Sequence, residues 1–226
     1  MASKMGPVIR DIREAVITAA RRVDGDMPSL PIRHSRQLAS MRRMIRDRDR
    51  FDGGTNGGRP DAPPHRPGNT PAGTKPYGGR NRNRDKGEYG ENVTDGFMRE
   101  RGFERVSHRD GPNGIDGIYA NRNGDVLIVE SKYNSSRLGW ASDGAGGRNR
   151  QMDDGWLTGH YNNHDVNRIR DALLPDRRLA DAVEKLFRNG DVPPGVARVL
   201  PDGSVEVTVP RFNPDGSIAD APVFDF

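Results

Sequence analysis

The chain of 226 residues has no cysteine, few aromatic residues (6%) and no apolar run of membrane-spanning length. Without a thiol, a disulfide framework, a zinc finger and a cysteine nucleophile are all excluded, while the compartment stays undecided. Residues 1–20 hold no apolar signal-peptide stretch, because Lys4, Arg10, Asp11, Arg13 and Glu14 interrupt it. The chain is therefore expected to be soluble, with any export by another route and no membrane partner. Hydrophobic residues make up only 32%, against 28 glycines and 17 prolines, so much of the chain cannot join a packed core. One compact domain beside a loose half is the expectation.

The loose half lies toward the N-terminus. Val8, Ile12, Val16 and Ala19 stand at helical spacing within residues 7–23, and Leu38, Met41 and Ile45 repeat the pattern within 36–46. Glycine, proline, asparagine and arginine then dominate residues 51–86, the composition of a flexible linker. The expected division is a short helical region over 1–50, the linker over 51–86 and a compact domain over 87–226. Charge divides in nearly the same place. Residues 31–85 hold 13 basic against 5 acidic side chains, whereas residues 86–226 hold 18 against 23. The arginine-rich arm is suited to holding a phosphate backbone without sequence preference, or to serving as a solubilising tether.

The stretch from Asp110 to Tyr133, DGPNGIDGIYANRNGDVLIVESKY, reads as a β-hairpin. Ile115 to Ala120 is a short apolar run, Asn121 to Asp125 is a turn with Gly124 in its left-handed position, and Val126 to Tyr133 is β-branched-rich. Alternation along the second strand puts Glu130 and Lys132 on one face, and Val129, Ser131 and Tyr133 on the other. Asp116 then meets Glu130 across the pair. Two converging carboxylates repel unless a cation sits between them, and hard oxygen ligands suit Mg²⁺ or Mn²⁺. A neighbouring lysine can orient a water and stabilise charge developing on a phosphate. A salt-bridged, solvated sheet face would produce similar letters.

Upstream, GEYGENVTDGFMRERGF carries Tyr89, Val93, Phe97 and Met98 as a helical apolar stripe stopped by Gly102, with Glu91 near the helix start. There a carboxylate also suits the helix dipole. The order Glu91, Asp116, Glu130-x-Lys132 resembles the restriction-endonuclease-like, or PD-(D/E)XK, nuclease superfamily. It is most similar to the nuclease toxin domains at the C-termini of bacterial polymorphic toxins, among them contact-dependent inhibition, Rhs and type VI secretion effectors. Those domains often carry a Gln-Met pair downstream of the lysine, which RNRQMDDGWL supplies as Gln151 and Met152. The resemblance spans about a third of the chain, Tyr89 to Trp156, and departs from the pattern at Ile115, where proline is common.

The resemblance implies Asp116 and Glu130 as metal ligands, the Ser131 carbonyl as a third, and Lys132 as the residue that positions the attacking water. It implies roles for Glu91 and for Gln151, the latter against the lysine, a ligand water or a phosphate; capping and the start of a helix are their plainer alternatives. It further implies a Mg²⁺- or Mn²⁺-dependent endonuclease acting on nucleic acid, DNA ahead of RNA. Delivery into the cytoplasm of a target cell and a cognate immunity protein as partner go with it. A phage or repair nuclease of the same fold and a non-catalytic nucleic-acid binder are the competing readings.

Asn134 to Arg150 reads as a loop able to close over substrate, with Arg148 and Arg150 at phosphates and Trp140 stacked on a base, or with Trp140 buried as an anchor. Met152 to Thr158 is expected to be a helical turn. Residues 166–189 form a longer helical region interrupted at Pro175 and stopped by Gly190. His160 and His164 have the spacing of two ligands on one helix face, but GHYNNHD is turn-like and no third ligand lies near. VARVLPDGSVEVTVPRF is a hairpin about a Pro-Asp-Gly turn, with a second such turn at Pro214 to Gly216. The expected fold is α/β: a restriction-endonuclease-like mixed sheet of about four strands flanked by helices, with a flexible N-terminal arm and an appended C-terminal β-hairpin.

Overall fold

The computed structural model describes residues 5–23, 82–108, 114–142, 147–161, 164–165, 167–224 and 226. The helix expected over 36–46 and the linker as far as residue 81 lie outside them. In chain order the elements are α1 (Met5–Val23), α2 (Arg82–Glu100), β1 (Glu104–Arg105), β2 (Gly117–Ala120), β3 (Val126–Tyr133), β4 (Trp140–Ser142) and β5 (Arg148–Arg150). Next come α3 (Asp154–Thr158), β6 (His160–Tyr161), β7 (His164–Asp165), α4 (Arg168–Leu173) and α5 (Arg177–Arg188). β8 (Pro194–Val199), β9 (Val205–Thr208), β10 (Arg211–Phe212) and β11 (Ile218–Asp220) complete the chain.

Five strands form a mixed sheet in the order β1-β2-β3-β8-β9. β2 and β3 make the expected hairpin, with Gly117 opposite Val129 and Ala120 opposite Val126. Its turn closes because the Asn121 side chain accepts from the Asn123 and Asp125 N–H groups and Gly124 takes a φ of +85°. β8 lies parallel to β3, pairing Glu130 with Val196, and β9 returns antiparallel to β8. The parallel step needs a crossover, which α3, α4 and α5 supply. The C-terminal hairpin is thus integral to the sheet, not appended to it. Val196, Ala197 and Val199 are all buried, because β8 is covered on both faces and so demands apolar residues on both.

The two faces carry separate cores. Ile118, Val126, Ile128 and Val196 pack with α1, α4 and α5 on one, and Tyr119, Leu127, Val129, Ala197 and Val207 pack with α2 on the other. Alternation along the strands produces this division. α1 corrects the expected extent of the compact unit. Its Ile12 and Val16 are 1% and 0% exposed and share the core with α5, and Arg13 pairs with Asp176 at 3.3 Å. The apolar stripe on α1 needed a surface to cover, and α5 with the β2–β3 turn provides it: a Cβ on Gly124 would come within 2.8 Å of the Ala15 carbonyl oxygen.

α2 also begins earlier than the expected boundary at 87. Gly87 and Gly90 both lie inside the helix, and the Gly90 backbone passes the Ser131 and Tyr133 side chains. After β3 the expected loop folds into a ribbon, β4 against β5, with Trp140 opposite Arg150. His160 and His164 sit on a second ribbon, β6 and β7, not on a helix, with His160 opposite Asp165. α4 and α5 flank Pro175, and Gly190 at φ +75° ends the helical region, as their sequence indicated.

Candidate active site

β3 carries the site because its apolar half fixes it at the centre of the sheet while its last four residues turn polar. Glu130 is 3% exposed, on the face of α1, α4 and α5. Asp116 stands just before β2, opposite that position, and its Oδ2 accepts the Ser131 main-chain N–H at 2.8 Å. Lys132 shares the face of Glu130 and donates through Nζ to Glu130 Oε1 at 2.7 Å. Gln151, from the turn after β5, donates through Nε2 to the same Oε1 at 2.5 Å. The Gln151 side-chain oxygen in turn accepts the Gly139 N–H at 3.1 Å, so both ends of the amide are held.

One carboxylate oxygen is left over. Glu130 Oε2 is buried and has no hydrogen-bond partner among the described residues. Leaving such an atom unpaired in a protein interior carries the full desolvation cost, about 1–3 kcal/mol and more for a charge. The titration behaviour follows. Burial, then the charge of Asp116, push Glu130 up to about 8, against the opposing pull of Lys132. Burial also raises Asp116, opposed by the Ser131 N–H and by Lys132. Asp116 disfavours the ionised form of Glu130, whereas a hydrogen bond from the Glu130 carboxyl favours that of Asp116; once both are ionised the pair, with Oε2 taking no other partner, fits a divalent cation. No group of three or more His, Cys, Asp or Glu side chains gathers among the described residues. Mg²⁺ is commonly held by one or two carboxylates, with waters and substrate phosphate filling the remaining positions. The donor set therefore suits that ion, through Glu130 Oε2 and the Asp116 oxygen not taken by Ser131.

Of the expected site residues, the structure brings Asp116, Glu130, Lys132 and Gln151 together. Gln151 holds the carboxylate itself, a partner not among those expected for it. Ser131 contributes its N–H to Asp116, and its hydroxyl points to the opposite face, donating to Thr94 Oγ1 at 3.0 Å. Glu91 is in the middle of α2, not near its start, because the helix begins at Arg82. Capping by Glu91 is therefore excluded. Its charge acts on Arg105, and it forms no three-acid cluster with Asp116 and Glu130.

Arg105 is the residue that sequence reasoning missed. From β1 it donates through Nε to Asp95 Oδ1 at 2.8 Å, through Nη2 to the Tyr119 hydroxyl at 3.1 Å, and through Nη1 to the main-chain carbonyl of Asp116. Tyr119 donates to Asp95 Oδ1 at 2.6 Å, closing the network. Gly117 makes room for it, since a Cβ there would fall 2.4 Å from Tyr119 Cε2. The available signals were Asp95, four residues after Glu91 on the same helix face, and the glycine two before the tyrosine. A cavity of about 740 Å³ lies off this site: Arg148, Asn149 and Met152 line it, whereas Asp116, Glu130 and Lys132 do not.

No match was found. Neither a protein-family model, nor a curated protein, nor a solved structure matches this chain. Among the described residues no helix is long and apolar enough to cross a membrane.

Proposed function

We propose that the chain is a metal-dependent nuclease of the restriction-endonuclease-like type, acting on nucleic acid as a toxin domain delivered into a competing cell. The observation that carries the reading is the unpaired, buried Oε2 of Glu130 beside Asp116, with Lys132 on the same carboxylate. Asp116 and Glu130 would hold a Mg²⁺ or Mn²⁺ ion. When bound, such an ion stabilises charge on the phosphoryl oxygens and makes water a better nucleophile near neutral pH.

The chain's own residues have distinct parts. Gln151 and Lys132 both occupy Glu130 Oε1, which leaves Oε2 as the ligand oxygen and fixes the carboxylate plane. The Lys132 ammonium lies beside the ligand carboxylate, where it can orient the attacking water and offset negative charge on the phosphate. Arg105 steadies Asp116 by its main-chain carbonyl. The order of Asp116, Glu130, Lys132 and Gln151 supports the resemblance to nuclease toxins, and with it a cognate immunity protein as partner. DNA is the expected substrate.

A digest of plasmid DNA and of tRNA with Mg²⁺, with and without EDTA, tests the reading. Cleavage with Mg²⁺ that EDTA stops is expected. Binding without cleavage in any divalent ion would instead identify a non-catalytic binder. Toxicity on expression that a neighbouring gene relieves would separate a toxin from a repair or phage nuclease.

A further inference from the structure

We infer that the β4–β5 ribbon is a stacking subsite for an unpaired nucleobase, so that the site takes single-stranded nucleic acid in preference to duplex; this rests on the nuclease reading above. Trp140 was open to burial as a loop anchor, yet the residue is 45% exposed. Arg150, directly across the ribbon, places its guanidinium carbon 4.7 Å from the ring centroid, while Arg150 Nε is buried without a partner. The indole is also braced. Gly216, in the turn between β10 and β11, sits so close that a Cβ would fall 2.5 Å from Trp140 Cη2. A large aromatic surface held rigidly in water costs little further entropy when a base stacks on it.

Charge points the same way. Several arginines elsewhere pair with acids, Arg105 with Asp95, Arg170 with Asp181 and Glu184, and Arg188 with Glu184, while Arg101 and Arg198 hold main-chain carbonyls. The Arg148 and Arg150 side chains have no carboxylate partner among the described residues, the Arg150 main-chain N–H alone donating to Asp153, and both project from the face of the ribbon that bears Trp140. An aromatic platform flanked by unpaired arginines is the arrangement that binds single strands, the ring taking the base and the cations the backbone. The ribbon is also tied to the carboxylates. Gly139, next to Trp140, exchanges hydrogen bonds with Gln151 at 3.0 and 3.1 Å, and Gln151 holds Glu130. A base on Trp140 would thus belong to a nucleotide near the scissile phosphate. In B-form duplex, stacked and paired bases offer no face to the ring.

The chain has two tryptophans, and Trp156 is 5% exposed, so quenching of the emission by a bound base reports on Trp140. The full chain, in EDTA to prevent turnover, is titrated with a DNA oligonucleotide, its RNA equivalent and the corresponding duplex. Either single strand should quench the emission, and duplex should not; which strand quenches more identifies the preferred sugar. Trp140→Ala should weaken single-strand binding at least about fivefold, the low end for one stacked base, and duplex binding less than about twofold. Trp140→Phe should recover most of the loss. Absence of quenching by both single strands, or equal losses for strand and duplex, would overturn the inference. Quenching in a protein that never cleaves would sink the nuclease reading alone, whereas cleavage with an unchanged strand preference in Trp140→Ala would sink the subsite alone.

Discussion

The two faces of β3 treat their polar groups differently. On the α2 face Ser131 donates to Thr94, and Asp95, Arg105 and Tyr119 close on one another, so each polar group has a partner. On the other face, one residue away along the same strand, Glu130 keeps an unpaired buried oxygen beside a second carboxylate. The first arrangement is what stability selects. The second costs stability in the absence of a ligand, and under the proposed reading a cation would offset that cost. The α2 network is thus the scaffold that holds Asp116 and the strand, and the opposite face is where the proposed chemistry would take place.

Changes on the two faces should therefore part company. The largest effect is expected at Lys132→Ala and Glu130→Gln, which should lower the cleavage rate by about 10²–10³-fold or more while the far-UV spectrum stays native. Retained cleavage in both would refute the assignment. Arg105→Ala should instead unfold more easily, by about 3–5 kcal/mol in urea, because Asp95 loses its cation in a mostly buried pocket. Its residual activity should fall as well, since the Asp116 carbonyl loses its anchor.

The pH dependence of stability sharpens the contrast. Glu130 is raised from 4.5 to about 8, so between those values the folded, metal-free chain holds a proton that the unfolded chain has lost. Stability from this group is complete below about 4.5 and is lost as pH rises through 8. Asp116, also raised, adds to it in the same direction. The thermal midpoint in EDTA should fall from pH 5 to pH 8, and Glu130→Gln should flatten the decline. A midpoint that rises over this range would contradict the burial of Glu130. The smallest effect should be at Thr94→Val, about 1 kcal/mol with unchanged activity, as befits one hydrogen bond on the scaffold face.

Local pattern made part of this readable in the chain. The β2–β3 hairpin was legible through its period of two and through Gly124, and the helices after residue 166 through their apolar spacing, Pro175 and Gly190. Asp116, Glu130 and Lys132 followed from that hairpin, since register alone brings them together. Three-dimensional neighbours were not legible. α1 had the right helical stripe, but nothing local tied it to α5 across the glycine- and proline-rich stretch between them. β8 was recognised as part of a hairpin, yet its parallel pairing with β3 depends on a crossover of three helices. The Arg105 network draws one residue from each of three elements, and in isolation Arg105 and Asp95 look like ordinary surface charges and Tyr119 like one more residue of an apolar run. For Trp140 the local pattern admits stacking on a base or burial as a loop anchor, and the ribbon leaves it partly exposed.

If Glu130 Oε2 and Asp116 seat a divalent cation, calorimetric titration of the purified, metal-free chain with Mn²⁺ at pH 8 should show saturable binding with proton release as Glu130 ionises, and loss of that binding in Glu130→Gln. Equal Mn²⁺ binding by wild type and Glu130→Gln, or no binding by either, would contradict that assignment.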